Sequence, residues 1–148
     1  MTSDKRRAAF VTGASYGIGA ATALALARRG LDVAISATRV ENLSNVVAQL
    51  EAMDARVVPV VLNLGAHSNI EQAMATVTDA FGTVDVLVNN AGISNRKAAV
   101  DITPEEWEAV MQTNVTGTFF MCQQMGRHLV GGGRPGCIIN VASTHGIV

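Results

Sequence analysis

A glycine-rich turn, set between a short apolar run and an alanine-rich stretch, constrains this chain most strongly. Residues 12–19 read Thr12-Gly13-Ala14-Ser15-Tyr16-Gly17-Ile18-Gly19, after Ala8-Ala9-Phe10-Val11 and before a segment of helical spacing. A strand that turns sharply into a helix needs backbone angles that a side chain forbids, and glycine supplies them. The turn also lets an anion approach the main chain, where the first helical N–H groups and the helix dipole favour negative charge. Gly13, Gly17 and Gly19 fit the roles of tight turn, close approach of a pyrophosphate and close packing of helix on strand. The spacing is Gly-x-x-x-Gly-x-Gly, not Gly-x-Gly-x-x-Gly. The turn alone therefore leaves a purely structural role open.

The remaining chain alternates strand and helix. Apolar runs predict strands at 8–11, 32–36, 56–62, 84–88 and 137–142. Between them, helical spacing predicts helices over 18–29, 41–53, 69–81 and, as one long element, 104–129. Thr103, Pro104 and Glu106 carry the signature of an N-cap, a first-position proline and a capping box. Continuous apolar strands alternating with amphipathic helices predict an α/β fold, a doubly wound parallel sheet of Rossmann-like type covered on both faces. Residues 1–148 read as one dinucleotide-binding domain, with no repeat, linker or low-complexity tract. Ligands of such sheets bind beyond the carboxyl ends of the strands, at the switch point. Small and polar residues gather there: Gly13, then Ala37-Thr38-Arg39, Asn63-Leu64, Asn89-Asn90-Ala91-Gly92 and Ser143.

Composition excludes several alternatives. A net charge of −1 favours neither nucleic acid nor an acidic partner. Cys122 and Cys137 are too few for a disulfide framework or a zinc site, and no metal site is expected; a reduced, cytoplasmic setting is. No apolar run approaches the ~18 residues of a membrane span, so no membrane partner is expected. The polar Thr2-Ser3-Asp4-Lys5-Arg6-Arg7 start has no signal-peptide core.

Four motifs in order make the chain resemble the short-chain dehydrogenase/reductase family, of the 3-oxoacyl-[acyl-carrier-protein] reductase-like kind. They are Thr12-Gly13-x-x-x-Gly17-x-Gly19, Asn89-Asn90-Ala91-Gly92, Asn114 in Asn114-Val115-Thr116-Gly117, and Ile138-Ile139-Asn140-Val141-Ala142-Ser143. The resemblance implies hydride transfer between a nicotinamide and a small carbonyl or alcohol substrate. Ser143 then hydrogen-bonds the substrate oxygen and Asn114 fixes a water in a proton relay. Burying Asn114 in mid-helix is costly unless it is bonded, and a local kink with bound water is the expected explanation. The family's proton donor is the tyrosine of a Tyr-x-x-x-Lys motif after the serine. The only tyrosine here is Tyr16, and Lys5 and Lys97 lie outside such a motif. The expectation is a longer polypeptide, with the sheet incomplete at its C-terminal end in this chain. The resemblance also implies a homo-oligomer, a tetramer or dimer, when complete. The long helix, with Val110, Val115, Phe119 and Cys122, supplies apolar surface for that contact.

For the cofactor, an acidic residue after the second strand selects the ribose 2′-hydroxyl and repels a 2′-phosphate. Ala37 stands where that acid is expected, and Thr38 and Arg39 suit a phosphate. NADP(H) is therefore favoured, with NAD(H) possible. Ser15, Tyr16 and Ile18 complete the phosphate turn. Asn63 takes the place of an aspartate that bonds adenine, with Leu64 N–H beside it. Asn90, Ala91 and Gly92 follow the ribose and nicotinamide, with Asn90 also bracing neighbouring strands. Ser94, Asn95 and residues 143–147 reach the substrate. A truncated, catalytically silent NAD(P)-binding module is the alternative. A Ser143-x-His145 hydrolase lacks a nucleophile elbow and an orienting acid. His67 and His128 read as surface or hydrogen-bonded histidines, Met111, Met121 and Met125 as core or interface filler, and Trp107 as packed near the start of the long helix.

Overall fold

The computed structural model describes residues 6–143. Five strands form one sheet in the order β3-β2-β1-β4-β5, every pair parallel. The strands are β1 (Ala8–Val11), β2 (Asp32–Ala37), β3 (Val57–Val61), β4 (Val86–Asn89) and β5 (Cys137–Asn140). Helices α1 (Gly17–Arg28), α2 (Ser44–Glu51), α3 (His67–Phe81), α4 (Pro104–Met111) and α5 (Thr118–Gly131) connect them.

Strand alternation divides the core into two layers. From β1, Ala9 and Val11 join Val33 and Ile35 against Ala23 and Ala27 of α1 and Val46 and Leu50 of α2. Ala8 and Phe10 face the other way, against Ile70, Met74 and Val77 of α3 and Met121 and Met125 of α5. Both faces of the sheet are thus covered over β1, β2 and β4, as near-continuous apolar strands require, whereas every residue of the edge strand β5 is exposed. His128 is a bonded histidine, accepting from the Val84 N–H (3.0 Å), and His67 pairs with Glu71.

Several elements depart from the sequence reading, and α3 and β4 begin at His67 and Val86 rather than at 69 and 84. The second helix is split: Val40–Leu43 is a 3-10 turn, and the α-helix begins only at Ser44. The fourth is interrupted by a π-helical turn, Gln112–Gly117. Neither break changes the spacing of apolar residues enough to be read from it. The last strand stops at Asn140 rather than Ala142. Trp107 is not packed away, being 59% exposed. The Thr103 cap is as expected: its hydroxyl accepts from Glu106 N–H, and Glu106 returns a bond to Thr103 N–H.

Because β1 leads to β2 on one side and β3 returns to β4 on the other, the chain reverses direction between β1 and β4. A crevice opens at the carboxyl ends of those two strands.

Candidate functional site

Thr12 and Asn90 hold this crevice together. Thr12 is buried, and its hydroxyl oxygen accepts from Asn90 N–H (3.1 Å) and Ala91 N–H (3.0 Å). The Asn90 amide donates to Thr12 O (3.1 Å) and Gly13 O (2.9 Å). The turn after β1 is thereby fastened to the end of β4. On its other side Ala14 N–H donates to Ser36 O (2.9 Å), and Gly13 N–H to the Ser36 hydroxyl (3.4 Å).

Two glycines in the turn sit in the left-handed region, Gly13 at φ +64 and Gly17 at φ +60. A Cβ on Gly13 meets Ala91 Cα at 2.7 Å, whereas one on Gly17 meets nothing within 4 Å. Gly13 is needed for packing as well as conformation, Gly17 for conformation beside an open cavity. Gly19 lies underneath, where a Cβ runs into Gly13 O and Asn90 Nδ2; its neighbours along the buried side of α1 are Ala23 and Ala27. α1 thus approaches the sheet closely, and its first N–H groups lack intrahelical partners. No side chain caps it at Tyr16.

These elements enclose a cavity of about 640 Å³, lined by Gly13, Ser15, Tyr16, Gly17 and Ile18 from the turn, by Ser36, Ala37, Thr38 and Asn42 after β2, by Leu62, Asn63 and Leu64 after β3, by Asn90, Ala91, Gly92 and Ile93 after β4, and by Thr113. The size is that of a small-molecule or cofactor site. No carboxylate or basic side chain is among the lining residues, so the α1 N-terminus sets the local field, and it favours an anion. A pyrophosphate fits this cradle: open glycine backbone, unpaired helix N–H groups and no opposing acid.

Most expected cofactor residues converge here. Gly19 supports the turn from below, and Arg39 is exposed outside the lining. Asn63 lines the cavity and also has a local bond. Its side-chain oxygen accepts Gly65 N–H (2.9 Å) and so shapes its own turn, with a second lone pair left on that oxygen. Ser36, Asn42, Ile93 and Thr113 were not singled out from the sequence. Their side chains carry no distinctive motif, and only the fold brings them to the cavity.

Asn114 is exposed rather than buried. Its oxygen accepts Ile93 N–H (2.8 Å) and its amide donates to Ile93 O (2.7 Å). The partner of this mid-helix asparagine is therefore the strand-end loop, and the π turn is the expected kink. Gly92 leaves room for it, since a Cβ there lies 3.2 Å from Asn114 Oδ1. Asn95 accepts Lys97 N–H (2.9 Å). Ser143 follows β5 by three residues, at the same edge of the sheet. His145 and the rest of 144–148 lie outside the described residues, as do residues 1–5. Among the described residues, no helix is long and apolar enough to cross a membrane.

The profile of the short chain dehydrogenase family matches residues 7–148. The 3-oxoacyl-[acyl-carrier-protein] reductase FabG of Thermotoga maritima is 37% identical over 137 residues, covering 93% of this chain and 55% of the relative. A short chain dehydrogenase from Mycobacterium paratuberculosis, solved bound to NAD, superposes with a TM-score of 0.88 at 32% identity, over 95% of this chain and 57% of that one. A metagenomic short-chain oxidoreductase in complex with NADP gives 0.86 at 33%, over 93% and 62%. The chain belongs to the short-chain dehydrogenase family. It spans little more than half the length of the relatives it matches.

Proposed function

We propose that this chain is the dinucleotide-binding part of an oxidoreductase that moves a hydride between NADP(H) and a small carbonyl or alcohol substrate, in the manner of a 3-oxoacyl reductase. The observation that carries this is the turn after β1: Gly13 and Gly17 at positive φ beside a cavity with no acidic lining. When bound, the nicotinamide supplies or accepts the hydride. The chain's own residues bind and orient. The α1 N-terminus and the Ser15–Ile18 backbone hold the pyrophosphate, and the loop at Asn63 and Leu64 meets the adenine. Asn90, Ala91 and Gly92 carry the nicotinamide side. Asn114 holds that last loop through Ile93 and, in this reading, supports the proton relay. Ser143 donates a hydrogen bond to the substrate oxygen. The proton donor, a tyrosine with its lysine, belongs to a longer polypeptide of which this is the N-terminal part. The enzyme works in the cytoplasm as a homo-oligomer.

NADP(H) is preferred because Ala37 and Thr38 offer no carboxylate to repel a 2′-phosphate, and exposed Arg39 adds a nearby positive charge. Support for the nicotinamide dinucleotide comes from the similar proteins solved with NAD and with NADP. The test is equilibrium titration of the purified chain with NADPH and NADH. Saturable binding of NADPH, tighter than NADH, is expected, and Arg39→Ala should weaken NADPH while sparing NADH. Absence of binding by either dinucleotide overturns the proposal. Binding without turnover, even in the longer polypeptide, leaves only a silent binding module.

A further inference from the structure

We infer that Asn42 is the side chain that meets the ribose 2′ substituent, and that its lack of charge is what admits the phosphorylated dinucleotide there. This rests on the proposed dinucleotide site and deepens it by naming the discriminating residue. In sheets of this kind the 2′ position is read beyond the end of the second strand. There, the polar side chains lining the cavity are Ser36, Thr38 and Asn42, while Ala37 offers only a methyl group. Ser36 is already engaged, its hydroxyl accepting Gly13 N–H. Arg39, the nearest cation in sequence, is outside the lining.

The backbone explains why Asn42 is there. After β2 the chain tightens into the 3-10 turn Val40–Leu43, in which Asn42 N–H donates to Arg39 O (3.3 Å). A 3-10 turn eclipses residues three apart. It carries Asn42 back to the cavity mouth, and Leu43 into the core at 0% exposure. Among the described residues no hydrogen bond occupies the Asn42 amide group. An amide both donates and accepts: its N–H suits a phosphate oxygen, and its C=O suits a hydroxyl. With Thr38 beside it, the mouth is neutral and accepts a 2′-phosphate without repulsion. Arg39 then acts at a distance, through a field that salt screens.

The experiment is titration of the purified chain with NADPH and NADH, read by cofactor fluorescence, for wild type, Asn42→Asp, Asn42→Lys and Glu41→Gln. Melting curves confirm that each variant is folded. Asn42→Asp places a carboxylate against the phosphate and should raise the Kd for NADPH about tenfold or more, with NADH altered by less than about twofold. Asn42→Lys should move the ratio of the two constants the opposite way. Glu41→Gln changes charge one residue away, off the cavity lining, and should leave the ratio within about twofold, which separates contact from general field. If both cofactors bind but neither Asn42 variant shifts their ratio, the inference is overturned. It is equally overturned if Glu41→Gln shifts the ratio as much as they do. If wild type binds neither dinucleotide, the failure is that of the proposed function.

Discussion

Gly13 and Gly17 have nearly the same positive φ, yet they should respond differently to a methyl group. At Gly17 the added Cβ meets open space, so Gly17→Ala costs only the left-handed conformation, about 1–2 kcal/mol. At Gly13 it also strikes Ala91 Cα, and the overpacking brings the loss to about 2–5 kcal/mol. Urea unfolding of both variants measures the gap, and equal losses contradict the packing argument. Asn114 offers a second test. Its removal to alanine frees both polar groups of Ile93, so the Ile93 amide should exchange hydrogen faster while core amides of β1 do not. Such roles were only partly legible in the sequence. The glycine spacing pointed to the turn, because few other residues tolerate those angles. The partner of Asn114 was invisible, because a main-chain group looks the same at every residue. Asn42 was missed because an asparagine near a helix start is ordinary until the 3-10 turn brings it to the cavity.

The cap of α4 shows what an element's first residues contribute. Thr103→Ala removes an N-cap and should destabilise by about 1 kcal/mol. Glu106 adds a pH dependence. Its carboxyl is held below the usual carboxylate range, chiefly by its hydrogen bond to Lys97 and then by Thr103 N–H; Lys97 Nζ lies 2.5 Å from it. Glu105 is shifted the same way by its own backbone N–H and the Thr103 hydroxyl. A carboxyl with a lowered folded pKa stabilises the fold above the unfolded pKa, and that contribution is lost as pH falls through the folded value. The melting temperature of Glu106→Gln should therefore lie below that of wild type at neutral pH. On acidification through the carboxylate range the difference should disappear. A difference independent of pH contradicts the assignment. This cap was fully legible in Thr103-Pro104-Glu105-Glu106, since local hydrogen bonds depend on neighbours in sequence. The kink further along was legible from a polar Asn114 in mid-helix, but its π form was not, because an inserted residue leaves the apolar pattern readable as one continuous α-helix.

Across the molecule, parallel order and two-sided covering followed from apolar strands alternating with amphipathic helices. Which surfaces stay uncovered did not. Trp107, Met111, Val115 and Phe119, every fourth residue through α4, the π turn and α5, remain exposed. This stripe is the surface expected to join copies of the chain, in keeping with the proposed homo-oligomer. Phe119→Asp should shift sedimentation towards monomer while leaving the far-UV spectrum intact; an unchanged distribution contradicts that assignment. The same stretch connects outside and inside. Steps of four overshoot the 3.6 residues of an α-turn, and the wider π turn takes up the surplus while bending Asn114 towards Ile93. Deleting one residue from 112–117 would restore an unbroken α-helix, and the elements on either side would keep nearly the same phase, since 11 residues make about three α-turns. Trp107 and Phe119 would still share a face, but Asn114 would lose the bend that brings it to Ile93. The segment should therefore accept changes of letter far more readily than a change of length.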